Sequence, residues 1–150
     1  MEIESISEQL KGMLEEKKIF KSGKLFKCIL GLNVIESVVF SYLLKHQDVS
    51  TMELTEIFKK DRSSIQRALQ TLIEVNVIER KSMSLKDFSE KKDREDKTKR
   101  GYLYVYGAKD LEMVKAQTRE LLDKWYASML NYIENIDSVF DCYEKQGDLC

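Results

Sequence analysis

The strongest periodic signal lies in residues 62–73, where Ile65, Ala68, Leu69, Leu72 and Ile73 recur at intervals of three and four. That spacing places them on one face of an α-helix, which must pack against other helices. Asp61 stands in N-cap position, its carboxylate able to accept from the first-turn amides of Ser63 or Ser64, so the helix is predicted to begin at Arg62. Ser63, Gln66, Arg67 and Gln70 face away from the stripe. They offer one cation, two amides and a hydroxyl, groups that form paired hydrogen bonds to base edges in a DNA major groove. A merely solvated face would more often carry Glu and Lys.

Upstream, Ser50 or Thr51 is positioned to cap a short helix whose Leu54, Ile57 and Phe58 point inward, and Lys59-Lys60 make the turn. Two short helices joined this tightly, the second with a polar, Arg-bearing face, read as a helix-turn-helix. An ordinary antiparallel helix pair in a small all-α domain is the alternative. Before them, Asn33-Val34-Ile35-Glu36 has the form of a capping box with Asn in place of Ser or Thr. Ile35, Val38, Val39, Tyr42 and Leu43 then form the buried stripe of a first core helix ending near residues 45–48, with His46 exposed at its end. The apolar run at residues 25–32 is read as either extended or a tight helical turn.

Beyond the helix-turn-helix, Asn76 suits a left-handed helix cap, and the β-branched pair Val77-Ile78 enters a strand. Tyr102-Leu103-Tyr104-Val105-Tyr106 alternates aromatics with aliphatics straight after Gly101. Pairing residues 77–83 with 101–107 makes an antiparallel hairpin, the wing of a winged helix. Its tip, residues 86–100, holds seven basic and five acidic residues with Phe88 as the only large apolar one, so it is expected to build no core and to be mobile. Lys91, Lys92, Arg94, Lys97, Lys99 and Arg100 are predicted to track phosphates or enter the minor groove. A solvated charged loop is the alternative.

The two ends carry amphipathic helices. Ile3, Ile6, Leu10, Met13 and Leu14 stand at helical spacing over residues 2–18, and Ser22-Gly23 breaks that helix. Over residues 111–140, which contain no Gly or Pro, Leu111, Val114, Leu121, Leu122, Trp125, Met129, Tyr132, Ile133, Ile136, Val139 and Phe140 recur three or four apart, with Thr118 filling one gap. The apolar face is about eight turns long, roughly 45 Å. A winged-helix core is too small to cover it, so a second copy of the chain is the expected partner, with the N-terminal helix packed alongside.

Composition narrows the function classes. Among 150 residues, 43% are apolar and 34% charged, which is the make-up of a globular chain with a highly charged surface. No apolar run approaches the ~20 residues that span a bilayer, and the acidic N-terminus is unlike a signal peptide. A cytoplasmic protein with no membrane partner is expected. The net charge of −1 hides a gradient: residues 51–107 hold thirteen basic and ten acidic residues, residues 108–150 five and nine. Local cations govern phosphate neutralisation, so the overall value is compatible with DNA binding.

Cys28, Cys142 and Cys150 show no metal-ligand spacing, and His46 is the only histidine, so neither a metal site nor a cofactor is expected and a disulfide framework is not. A redox role for the cysteines has the acidic neighbours Asp141, Glu144 and Asp148 against it at the C-terminal pair. No phosphate-binding Gly loop, nucleophile elbow or paired metal ligands point to an enzyme.

Three runs then carry a family resemblance: Cys28-Ile29-Leu30-Gly31-Leu32-Asn33-Val34-Ile35-Glu36, Asp61-Arg62-Ser63-Ser64-Ile65-Gln66-Arg67-Ala68-Leu69 and Gly101-Tyr102-Leu103-Tyr104-Val105-Tyr106. Together they resemble archaeal winged-helix transcription regulators of the TrmB-like group, related in architecture to MarR-type repressors. The resemblance covers residues 25–107 well and the terminal helices only in character. It implies that the second helix of the motif reads the major groove, which by position assigns Arg62, Ser63, Ser64, Gln66 and Arg67, and it implies a dimer and transcriptional control. Full-length TrmB-type regulators carry a large C-terminal sugar-sensing domain where this chain has only a helix, so sugar sensing is not carried over. A small-molecule effector is compatible with a MarR-like pocket, but no residue set specifies one.

The expected architecture is therefore mainly α with a small β-hairpin wing. It comprises an N-terminal dimer arm (1–24), a winged helix-turn-helix DNA-binding domain (25–107) and a C-terminal dimerisation helix and tail (108–150). Gln66 and Arg67 are the expected base readers, joined on the outer face by Gln70; Arg62, Ser63, Ser64 and Thr51 are expected at phosphates. Leu111, Val114, Leu121, Leu122, Trp125, Met129, Ile133, Ile136 and Phe140 are expected at the dimer contact. A winged helix used for protein contacts in a transcription or replication assembly, without DNA specificity of its own, is the alternative function.

Overall fold

A computed structural model describes residues 22–92 and 100–149, together with Glu8 and Lys11. Apart from those two positions, the helix expected over residues 2–18 lies outside the described residues, as do Arg94, Lys97, Lys99 and Cys150. The chain divides into two compact units, Met1–Val114 and Lys115–Cys150.

In the first unit, a short helix, Ser22–Lys24, runs into a π-helical turn, Leu25–Ile29, so the apolar run before Asn33 is helical. Phe26 meets Phe40 edge-on at 6.0 Å between ring centroids. Helix α1 (Val34–Leu43) begins at the expected capping box: Asn33 Oδ1 accepts from the Glu36 amide, and the Glu36 carboxylate accepts from the Asn33 amide, both at 2.9 Å. Val39, Phe40 and Leu43 are buried, whereas Val38, expected inside, is 42% exposed.

Helix α2 (Thr51–Phe58) is capped by Ser50, which forms a second capping box with Glu53. Leu54 is fully buried, Phe58 packs edge-on against Tyr42, and Ile57, expected inside, is 44% exposed. An eight-residue helix buries only a narrow side, and Ile57 falls outside it. Lys59 then takes a left-handed conformation (φ 52°), which reverses the chain before α3 (Arg62–Glu74). Ile65, Ala68, Leu69 and Leu72 of α3 enter the core with Leu32, Val39, Phe40, Leu43, Leu54 and Val77.

Asn76 leaves α3 in the expected left-handed conformation (φ 66°). Strand β2 (Ile78–Ser84) pairs antiparallel with β3 (Tyr102–Ala108) in a register running from Ile78↔Ala108 to Ser84↔Tyr102. A third strand, β1 (Val49–Ser50), is too short to show alternation in sequence; it pairs with Tyr106 and Val105 and makes the sheet order β1-β3-β2. Gly101, at φ 125°, occupies a backbone region closed to L side chains where the wing returns to β3.

The wing tip departs from the structureless loop expected of it. Helix α4 (Leu85–Lys91) occupies its first half, capped by Ser84, whose hydroxyl accepts from the Asp87 amide at 3.1 Å. Phe88, the sole large apolar residue there, is 4% exposed. A capped turn with one deeply buried ring is enough to order a segment that is polar on average.

Helix α5 (Leu111–Glu134) starts in the first unit and continues through the second. The uninterrupted helix expected to about residue 140 stops at Asn135, whose side-chain amide donates to the Asn131 carbonyl at 2.9 Å. Asparagine competes with the helical ladder in this way and breaks it. A 3₁₀ turn (Ile136–Ser138) and α6 (Val139–Gln146) follow. Cys142 is disulfide-bonded, although no disulfide framework is expected from the sequence, and Cys28 is free and exposed.

Candidate nucleic-acid interface

The core stripe of α3 fixes which side chains the helix presents. With Ile65, Ala68, Leu69 and Leu72 inside, Arg62, Ser63, Gln66, Arg67 and Gln70 are exposed and Ser64 is half-buried. Asp61 accepts from the Ser64 amide at 3.1 Å and from the Ser64 hydroxyl at 2.6 Å. Those bonds, the hydroxyl's first, hold its carboxyl below its ordinary value, so the cap is anionic at neutral pH. Ser64 thus serves the cap and presents less of itself than its neighbours. Arg67 Nε donates to the Ser63 carbonyl at 3.4 Å, and Gln70 Nε2 donates to Glu74 at 3.2 Å, weak local tethers that a stronger acceptor would displace.

Thr51, the first residue of α2, is half-buried beside the Ser50 cap. The wing cations divide. Arg100 is exposed, whereas Lys91 is ion-paired with Asp48, and Lys92 lies 3.3 Å from the Glu53 carboxylate. Lys81 of β2 also reaches Asp48, at 2.7 Å. Asp48, its side chain 12% exposed, sits at φ 54° immediately before β1 and joins two wing lysines. The hydrogen bond from Lys81, then that from Lys91, lowers its pKa against the opposing effect of burial. In the free protein Lys91 and Lys92 therefore have carboxylate partners; charge counting along the chain cannot see that, because Asp48 lies 43 residues from Lys91.

The residues expected at a dimer contact also divide. Val114 is buried in the first unit's core and Met129 is half-buried. Leu111, Leu121, Leu122, Trp125, Ile133, Ile136 and Phe140 are exposed, from 40% at Trp125 to 71% at Ile136.

Sequence reasoning did not single out Asp48 and Glu53, nor Arg80, whose guanidinium lies 4.3 Å from the Tyr104 ring centroid. The period of two along β2 and β3 puts Arg80 and Tyr104 on one face and is the signal that could have found them. Between the π-helical turn and α1 lies a cleft of about 440 Å³ lined by Phe26, Lys27, Asn33, Val34, Ser37 and Val38 among others. Among the described residues no three His, Cys, Asp or Glu side chains gather as a metal site, and no single helix is long and apolar enough to cross a membrane.

Residues 26–112 match the family model of the sugar-specific transcriptional regulator TrmB. Two uncharacterized proteins of Methanocaldococcus jannaschii are similar in sequence. One is 31% identical over 121 residues, covering 81% of this chain and 90% of the relative. The other is 27% identical over 113 residues, covering 75% and 76%. A possible transcriptional regulator from Methanosarcina mazei shares the fold, with a TM-score of 0.59 at 19% identity over 77% of this chain and 88% of that one.

Proposed function

We propose, from the premise that this chain belongs to the TrmB family of transcriptional regulators, that it binds double-stranded DNA sequence-specifically as a homodimer on a pseudo-palindromic operator. The observation that carries this is the division of α3, whose apolar side is locked into the core while Ser63, Gln66, Arg67 and Gln70 stand exposed. Arg67 suits guanine and Gln66 or Gln70 adenine, the bidentate pairs favoured by major-groove geometry. Arg62, Ser63, Ser64 and Thr51 are assigned to phosphates. In the wing, Arg100 is assigned to the backbone with Arg94, Lys97 and Lys99, and Lys91 and Lys92 would join them only by exchanging their carboxylate partners for phosphate.

The exposed apolar side chains of α5 support the dimer, since a face of this length is unfavourable in water without a partner. Val114, which belongs to the core, is left out of that contact. The protein is assigned to the cytoplasm, with no catalytic residue and no cofactor. The test is duplex binding on a site selected from a random duplex library and on its scrambled sequence, at about 0.05 and 0.2 M salt. Sequence-specific binding keeps a preference for the intact site at the higher salt, whereas purely electrostatic attraction weakens equally on both.

A further inference from the structure

One face of the wing is core at its base, where Ile78 and Ala108 are buried, and exposed toward its tip, where it carries a chemistry that duplex reading by α3 does not use. The β2 and β3 side chains sharing that face include Arg80, Ser82, Ser84, Tyr102, Tyr104 and Tyr106. None of these is acidic. Tyr106 is 8% exposed and belongs to the core, but Tyr104 is 55% exposed and Tyr102 78%. Two large rings two residues apart on one strand lie on the same side of the sheet, about 7 Å apart, the reach of stacked planar groups. Arg80, diagonal to Tyr104 in the register and itself exposed, lies over the Tyr104 ring at 4.3 Å from its centroid, so a guanidinium and an aromatic ring are already in contact.

We infer that the Arg80–Tyr104–Tyr102 face is a stacking platform for unpaired DNA bases, a single-stranded DNA site separate from the duplex-reading face of α3. Every base has a π-face, so rings and guanidinium planes accept bases without regard to sequence, while the Arg80 guanidinium, the one charged group on this face, attracts the phosphodiester backbone. Charge complementarity selects a polyanion, and the exposed planar groups select its bases over the sugar-phosphate exterior that a duplex presents. Ser82, opposite Tyr104 on β2, adds an exposed hydroxyl able to donate to a base or phosphate oxygen.

The test is fluorescence anisotropy of the full chain with a labelled oligothymidylate about 16 nucleotides long, within the site size of single-strand binders, in about 0.1 M salt. Wild type is expected to bind it. Tyr102→Leu and Tyr104→Leu should each weaken binding about tenfold, Tyr102→Phe should retain it, and Arg80→Gln should weaken it with a shallower salt dependence. Because these positions are exposed, circular dichroism should find the variants folded. Equal affinity of wild type and the Leu variants, or no binding by wild type, overturns the inference. A change in the sedimentation of free protein on Tyr102→Leu, with no change in oligonucleotide affinity, also overturns it and marks the face as a protein contact. Arg67→Ala serves as the control: reduced duplex sequence preference with oligothymidylate binding intact separates the two sites, and failure of the operator on its own leaves this site standing.

Discussion

The Asp48 carboxylate lies 2.7 Å from the Lys81 ammonium, tying the residue that enters β1 to the strand that begins the wing. Lys91 of α4 takes the other carboxylate oxygen, so one acid holds both the base and the tip of the wing against the helix-turn-helix. Glu53 does the same for Lys92 while capping α2. These ion pairs set the wing's position through charge, whereas the core sets that of α3 through apolar packing.

Asp48→Asn is expected to destabilise the fold by about 1–2 kcal/mol near pH 7, a value held down because both lysines are more than half exposed. The lysines depress the Asp48 pKa below its ordinary 3.8. A carboxyl depressed in the folded state contributes stability that is complete above its unfolded value, about 3.9, and lost as pH falls through the folded one. The gap between wild type and Asp48→Asn in urea titrations should therefore be constant from pH 7 to about 5 and close below about 4. A gap that persists unchanged into acid would contradict the ion-pair assignment.

Phe88→Ala should remove the anchor of α4 at a cost of about 3 kcal/mol. Hydrogen exchange should quicken in residues 85–91 while the amides of α3 keep their protection. Uniform acceleration across the first unit would mean instead that the ring supports the whole core.

Arg67→Ala is expected to lose about 1–3 kcal/mol of discrimination at one base position in each half-site. Arg100→Ala should weaken all sequences alike and reduce the slope of log K against log salt by about 0.9 for each phosphate that the arginine neutralises in the wild type. Competition titrations with single-base variants, repeated across salt concentrations, check both; identical behaviour of the two variants would remove the division between base reading and phosphate binding.

Trp125→Glu places a charge on the exposed apolar face of α5 and should convert a dimer to monomer in analytical ultracentrifugation, with helical content retained. A dimer of unchanged affinity would place the interface elsewhere.

Much of the helix-turn-helix was legible because its signals are local. The capping box at Asn33, the cap at Asp61, the stripe from Ile65 to Leu72 and the left-handed Asn76 each depend on residues within a few positions of one another. What was missed depends on distance along the chain or on one residue outweighing an average. Strand β1 is two residues long and exists only because β3 lies beside it. The order of α4 comes from Ser84 and Phe88, which a count of charges over residues 86–100 dilutes. The break at Asn135 is a side-chain hydrogen bond that apolar periodicity on either side conceals. At the candidate site, the exposed face of α3 followed from its stripe, but the pairing of Lys91 and Lys92 with acids on other elements did not.

The most direct measurement is selection of bound sequences from a random double-stranded DNA library at about 0.1–0.2 M salt, where nonspecific attraction is suppressed. A dimeric regulator of this architecture should enrich a pseudo-palindrome with half-sites one helical turn apart, about 34 Å, or a multiple of it. A folded protein that enriches no sequence, or only a single half-site, would contradict a dimer that reads its operator through α3.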